Sequence, residues 1–431
     1  MSDIIIYGSG RTGKSLFEML KKLNIDARFY DDYNASYNNI EFARGDIVLL
    51  SPGVKPDASG VMKARKVSAT VIPELEFCFP YCKGKCISVT GTNGKTTTCE
   101  MLNYILSLRG RSVRLLGNGG IPFSAEVLNV KSDEIVVLES SSFQLNNVRN
   151  FSPHISVFTN IASDHLDYHV SYDNYVRAKT NNFVRQADDD YAIFNGDDDA
   201  VVKLSNKAKC RKLFYSLNEP SANCYFDGER VLVNLFGATE KAEAAYLNSF
   251  ATHNKSNALA AILACRIAGV DIEFCVDSLR NYTPLPHRLQ TVAILDGVTF
   301  VDDSKATNVH ATVSALSNYS QPLALILGGS DKHEKYDSIF ENLKNNVKLV
   351  MATGATATKI RDAGRARGIE VKIFEDIAQA TEYGFEAIKQ TGGVVLMSNA
   401  CASFDKFKGY AERGDYFRHA VRELCSGKKT L

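Results

Sequence analysis

Short apolar runs alternate with stretches whose apolar residues recur every three or four positions, and the alternation repeats along most of the chain. IIIY at residues 4–7 predicts a strand. KSLFEMLKKLN then sets Leu16, Met19, Leu20 and Leu23 on one helical face. A second strand, ARFY, ends at Asp31 and Asp32, and GDIVLLSPGV predicts a third. From residue 86, CISVT runs through a glycine turn into the helical pattern CEMLNYILSLRG; SVRLLG, DEIVVLE and HISVF predict further strands that end in polar clusters. KLFYS and DGERVLVNLFG suggest a small antiparallel excursion. Beyond residue 284 the strands VTFVDD, PLALILGG, KLVMATG, EVKIF and GGVVLM are separated by helical stretches such as TATKIRDAGRARG. Strands alternating with helices predict an α/β protein with mostly parallel sheets.

At 431 residues and 45% hydrophobic content, about 150 residues per domain predicts two to four domains. The block that carries the second glycine turn begins near residue 81, and Pro284 and Pro286 mark another boundary. We expect an N-terminal Rossmann-like domain over 1–80, a central P-loop ATPase over 81–283 and a C-terminal Rossmann-like domain over 284–431. Fifty basic and 49 acidic residues leave a net charge of +1, which excludes a broad field for nucleic acid or an anionic membrane. MSDIIIYGSG has no basic start, and no window nears about 18 unbroken apolar residues, so a cytoplasmic protein is expected. Its ten cysteines then read as reduced, small apolar residues.

The chemistry collects at strand ends. In Gly91-Thr92-Asn93-Gly94-Lys95-Thr96-Thr97 a strand, a glycine turn and a helix N-terminus would aim backbone N–H groups at one spot. Lys95 adds a charge and the Thr96 hydroxyl a candidate magnesium ligand, so the spot suits a triphosphate, although Val89 stands where the strict P-loop pattern has glycine. Gly8-Ser9-Gly10-Arg11-Thr12-Gly13, with an acid about 20 residues on, satisfies the dinucleotide fingerprint. The chain reaches the second phosphate loop without completing a six-stranded fold, so a half-sized unit gripping another nucleotide diphosphate fits better than NAD. Neighbouring strand ends deliver Glu139 and His165 toward Lys95 and Thr96, a plausible magnesium shell. By itself Lys179 reads as a solvated helical lysine, and Asn254 as a helix cap. Polar loops of the last domain, rich in Lys, Asp, Ser and Thr, suit a small amphoteric substrate.

GTNGKTTT, ESSSFQL, NIASDHLDYH, YVRAK, HNKSNALAA, PLPHRLQ, DDSKATN and SNACASFDKFK occur in this order. Together they resemble the Mur ligases, ATP-dependent amide ligases of cell-wall precursor synthesis, and DSKATN with ACASFDKF is similar to the D-glutamate-adding branch. The resemblance spans nearly the whole chain. It implies addition of D-glutamate to UDP-N-acetylmuramoyl-L-alanine through an acyl phosphate, by a monomer with no nucleic-acid or membrane partner. It further implies that Lys95 and Thr96 hold ATP phosphates and magnesium, two ions in all, and that Glu139, His165 and a carbamylated Lys179 complete the metal shell. Asn254, Arg288 and Asp303 would contact ATP. Ser9, Thr12, Asp31, Asp32 and Ser51 would hold the uridine diphosphate, with Asn118, Ser141 and Gln144 at the muramoyl-alanine end. Lys305, Thr307, Lys332, Ser403 and Tyr410 would grip D-glutamate. Tyr33, Ser330, Asn399 and Tyr410 depart from the family pattern without removing a catalytic charge. A nicotinamide oxidoreductase and a nucleotide switch are the rivals; the first leaves the phosphate loop idle, and the second leaves the polar strand ends of three domains unexplained.

Overall fold

The computed structural model describes residues 3–331 and 334–427, so Lys332 lies outside the described residues. Two compact units divide after Tyr282. The first contains two sheets. β1 (Ile4–Tyr7), β2 (Ala27–Tyr30), β3 (Ile47–Leu50) and β4 (Thr70–Pro73) pair in parallel in the order β2-β1-β3-β4. Leu16, Met19 and Leu20 of the helix Arg11–Lys22 are buried, as their spacing predicts. β4 escaped the sequence pattern because TVIP is too short to alternate and ends in proline, which an edge position tolerates.

The second sheet has nine strands: β5 (Lys85–Thr90), β6 (Val113–Gly117), β7 (Ile135–Glu139), β8 (Ile155–Phe158), β9 (Tyr191–Asn195), β10 (Arg211–Ser216), β11 (Cys224–Phe226), β12 (Arg230–Leu235) and β13 (Ala238–Glu243). Their order is β13-β12-β11-β10-β9-β8-β5-β7-β6. β8, β5 and β7 are therefore central neighbours, and β7 and β8 are buried along their whole length, which is why they read as unbroken apolar runs. The helices Lys95–Leu108 and Thr252–Ile267 pack on this sheet through Ile105, Leu106, Leu259 and Leu263. The expected antiparallel excursion is smaller than the sequence suggests. β10 pairs in parallel with both β9 and β11, and only β12 runs against the rest, antiparallel to β11 on one side and to β13 on the other.

The second unit carries β14 (Gln290–Leu295), β15 (Val298–Asp302), β16 (Leu323–Gly328), β17 (Val347–Thr353), β18 (Val371–Ile373) and β19 (Gly393–Met397) in the order β14-β15-β19-β16-β17-β18. Only β14 is antiparallel. Leu325 and Leu327 face one core and Ala324 and Ile326 the other, the two-residue period of a sheet covered on both sides.

Candidate active site

β5 ends at Thr90, and Gly94, in the left-handed region at φ 85°, caps the helix that Lys95 begins. The loop between them is pressed against its neighbours. A Cβ on Gly91, whose φ is 146°, would stand 1.9 Å from Thr159 Oγ1; one on Gly94 would stand 2.5 Å from Asn257 Oδ1. The chain just beyond β8 braces the loop. Asn93 N donates to Asn160 Oδ1 at 2.8 Å, Thr159 Oγ1 and Asn160 Nδ2 donate to Asn93 O at 2.6 and 3.0 Å, and Thr92 N donates to Asn160 O at 2.9 Å. Lys95 folds back over this loop, its Nζ donating to Gly91 O and Thr92 O at 2.9 and 2.8 Å. Thr96 is half-buried and Thr97 buried in the first helical turn.

Lys179 is not on a solvated face. On the helix Tyr172–Thr180 it is 1% exposed, and its Nζ donates to Gly91 O at 2.6 Å. Burial pushes its pKa well below the ordinary lysine value; the nearby Lys95 charge adds to this, and Asp164 and Glu139 oppose it. Lys95, Asp164 and Glu139 therefore lie close enough to act on the buried amine of Lys179. Buried Glu139 accepts from Asn118 Nδ2 at 3.1 Å, and a Cβ on Gly119 would come within 2.5 Å of its Oε2. His165 takes a left-handed backbone at φ 54°, sets its ring edge-on to Phe143 at 4.7 Å, and holds Nε2 3.6 Å from Asp164 Oδ2. Behind it His169 hydrogen-bonds Ser142 Oγ at 2.9 Å, and burial, then His165 and Lys179, lower its pKa to about 4.

Among the described residues no three His, Cys, Asp or Glu side chains form a group that could hold a metal by themselves. Magnesium does not require such a cage, since it is commonly bound by one or two carboxylates together with substrate phosphates. Thr96 and Glu139 supply oxygen donors of that kind, whereas the amine of Lys179, which donates to Gly91 O, would join them only once modified to carry oxygens. Asn254, in the first turn of the helix Thr252–Ile267, is buried with no hydrogen-bond partner for its Oδ1 among the described residues, so its amide is open to a ligand.

A cleft of about 910 Å³ brings together Ser9, Thr12, Asp31, Asp32, Ser51, Asn118 and Gln144 from both sheets of the first unit. Ser9 N and Oγ donate to Asp31 Oδ2 at 2.8 and 2.7 Å, and the Ser9 hydroxyl above all holds the Asp31 carboxyl below its usual range. Asp32 accepts from Tyr7, from Tyr30 OH at 2.9 Å and from Ser59 Oγ at 2.7 Å. Ser141 is not among the cleft-lining residues. It caps the short helix Ser142–Leu145 in a reciprocal pair: Gln144 N donates to Ser141 Oγ, and Ser141 N to Gln144 Oε1.

In the second unit Asp303, just beyond β15, accepts from Ser398 Oγ at 2.7 Å and from Leu289 N at 3.2 Å; burial raises its pKa to about 7, with Arg288 among the groups opposing. Lys305 places its Nζ 3.9 Å from the centre of the Tyr410 ring. Ser403 is buried and Thr307 half-buried. Arg413 was missed by the sequence reading. It is fully buried, and its guanidinium donates to Ser304 Oγ and O at 2.9 and 2.8 Å and to the carbonyls of Cys401 and Ala402 at 3.0 and 3.1 Å. It thereby clamps the loop of Lys305 to the loop of Ser403. The available signal was an arginine in register with Phe417, Ala420 and Val421 on an otherwise apolar helical stripe.

Comparison with known proteins bears on the same residues. The Mur ligase middle domain matches residues 89–265, and the Mur ligase, glutamate ligase domain matches residues 287–401. A protein of Thermoanaerobacter sp. (strain X514) named UDP-N-acetylmuramoylalanine--D-glutamate ligase is 35% identical over 419 residues, covering 95% of this chain and 90% of its own. One of the same name from Acidobacterium capsulatum is 37% identical over 388 residues, covering 89% and 83%. The crystal structure of the MurF ligase from Thermotoga maritima in complex with ADP aligns with a TM-score of 0.60 over 89% of this chain and 96% of its own, at 17% identity, a likeness of fold.

Proposed function

The chain belongs to the Mur ligase family, and we propose that it is the ATP-dependent ligase that joins D-glutamate to UDP-N-acetylmuramoyl-L-alanine in peptidoglycan precursor synthesis. The observation that carries this reading is Asn118. It lines the nucleotide-sized cleft and donates to Glu139, so the far end of the cleft meets the carboxylate that stands near Lys179 and Lys95. A substrate whose diphosphate lies by Ser9 and Thr12 would present its other end to the phosphate loop.

A free carboxylate is a poor electrophile because oxide is not a workable leaving group. Transfer of the ATP γ-phosphoryl breaks its bond to the β–γ bridging oxygen and makes an acyl phosphate and ADP. The amine of D-glutamate then attacks the acyl carbon, loses its proton as the amide forms and expels inorganic phosphate. Lys95, now on loop carbonyls, would move onto the phosphoryl oxygens, where charge stabilisation is the largest contribution in most such transfers. Gly91, Thr92, Asn93, Gly94 and Thr97 would surround the phosphates with backbone and hydroxyl donors, and Asn254, Arg288 and Asp303 would contact the rest of ATP.

Two magnesium ions, held by Thr96, Glu139, His165 and a carbamate on Lys179, would neutralise phosphate charge when bound. Lys179 suits that modification: burial favours its neutral amine, which can add carbon dioxide as an N–C bond forms and a proton leaves. Ser9, Thr12, Asp31, Asp32 and Ser51 would hold the uridine diphosphate, and Asn118, Ser141 and Gln144 would set the muramoyl-alanine end, Ser141 through Gln144. Lys305, Thr307, Lys332, Ser403 and Tyr410 would orient D-glutamate, where near-attack geometry is worth about 7–11 kcal/mol.

The reading divides the chain into uridine-nucleotide, ATP-binding and amino-acid-binding domains over 1–80, 81–283 and 284–431, and includes a monomer at work in the cytoplasm. No described helix is long and apolar enough to cross a membrane. Phosphate release measured with ATP, magnesium and UDP-N-acetylmuramoyl-L-alanine against a panel of D- and L-amino acids tests it. D-glutamate alone should support fast turnover; equal rates without it, or a preference for an L-amino acid, would sink the proposal.

A further inference from the structure

A second cleft in the first unit, of about 470 Å³, shares no lining residue with the nucleotide cleft. Arg65, Arg149, Arg177 and Arg185 line it, and its lining includes no Asp or Glu. Three of their side chains have neutral partners: Arg65 donates to Pro56 O at 3.2 Å, Arg177 to Asn174 Oδ1 at 3.1 Å and Arg185 to Asn181 Oδ1 at 3.0 Å. The nearby acid Glu76 is taken up by the backbone N–H groups of Arg149 and Asn150 and by the Asn150 amide. In a chain of net charge +1, four guanidinium groups thus gather around one concavity without a carboxylate in its wall. All four are exposed, and no carboxylate on the wall competes with an anion for their charge.

The shape of the donors narrows the ligand. Guanidinium forks match the oxygens of phosphate two at a time, and the volume lies within the range of about 300–1,000 Å³ usual for small-molecule sites. Asn146 and Asn147 on the same wall offer neutral amide groups. We propose that this cleft binds a small anion carrying two or more phosphate groups, and that its occupation is felt at the active site.

Two connections support the second part, which rests on the ligase reading. The helix Tyr172–Thr180 turns Arg177 and Ala178 to the cleft, while the next residue, Lys179, donates to Gly91 O. Asn146 and Asn147 also wall a gap of about 10 Å³ whose other side includes Ser51 and Gln144 of the nucleotide cleft. An anion that draws the arginines inward pulls on both.

The test uses the full chain with Lys95→Ala, which weakens the phosphate loop, and calorimetric titration at low salt with inorganic tripolyphosphate, a sugar bisphosphate and inorganic phosphate. The first two arms distinguish an inorganic from an organic source. Saturable binding is expected for at least one of the first two, weaker for phosphate, and at least tenfold weaker in a protein that also carries R149A, R177A and R185A. Unchanged affinity in that protein, or no binding by the parent, would overturn the site. Single R149Q and R177Q variants, each expected to lose at least threefold, decide the matter should the multiple variant melt early. Binding needs no turnover, so the result stands apart from any failure of the ligase reading. With Lys95 restored, the triple arginine variant should keep its basal turnover and lose the response to the anion; an equal response in both proteins would refute the coupling.

Discussion

Lys95 and Lys179 reach the same atom: both side-chain amines donate to the carbonyl oxygen of Gly91, at 2.9 and 2.6 Å. Two ammonium groups sharing one acceptor repel each other, and burial of one of them weakens solvent screening. Lys179 is that member, and it is the one whose protonated form the protein disfavours. On the ligase reading the pair would present one cation to a phosphate and one amine for carbamylation.

If Lys179 works as a carbamate, Lys179→Ala should lose at least about 10³ in turnover, the scale of a missing transition-state contact. Formate or acetate should restore part of the rate by supplying a carboxylate in the vacated space. Activity should be assayed across carboxylate concentrations in a variant whose circular dichroism is unchanged; a flat response would leave Lys179 a structural lysine.

Lys95→Ala removes the cation that lies over the phosphate loop. We expect a loss on the order of 10³ or more in kcat with a smaller change in the KM for D-glutamate, because that amino acid is placed by other residues. Near-normal steady-state turnover would remove Lys95 from the reaction.

Arg413→Met would strand the carbonyls of Ser304 and Cys401 in a buried site, while Ala402 O keeps its bond from Ser330 N. At about 1–3 kcal/mol for each unsatisfied polar group, the loss should be on the order of 2 kcal/mol or more. Arg413→Lys, which keeps the charge but not the fork, should fold better and still raise the KM for D-glutamate, since the loops of Lys305 and Ser403 would no longer be tied. Urea midpoints and KM values equal to those of the parent would show that the clamp does nothing.

Asp303 titrates at about 7 in the folded chain and near 3.8 when exposed. The folded state holds its proton more tightly, so the stability this group contributes is fully present below about pH 4 and is lost as the pH rises through about 7. At about 1.4 kcal/mol per unit, the swing is on the order of 4 kcal/mol. Thermal melts of the unliganded protein between pH 5 and 8 should therefore fall more steeply in the parent than in Asp303→Asn. Parallel curves would contradict the assignment; other titrating groups, His169 included, cancel in the comparison.

Much of the fold was legible because its cues are local. Ile135 to Leu138 are apolar at every position, as a strand buried on both faces requires, and Gly94 precedes Lys95 at a helix start in sequence as in space. The misses came from pairing. β4 and β14 lie at sheet edges with weak patterns, and β10 joins the parallel run because its neighbour across the sheet is β9, which no property of KLFYS announces. The Gly8 to Gly13 loop, read alone, pointed equally to a nicotinamide cofactor.

By itself the chain determined where phosphate could be held and which polar groups arrive at strand ends, since a glycine turn, a helix start and an apolar period are properties of a few successive residues. Only tertiary structure decided that Lys179 is buried beside Lys95, that Arg413 ties two loops together, and that four arginines surround one hollow. Those arrangements join residues far apart along the chain, 88 positions in the case of Lys179 and Gly91, and burial and charge proximity arise only after the sheets have closed.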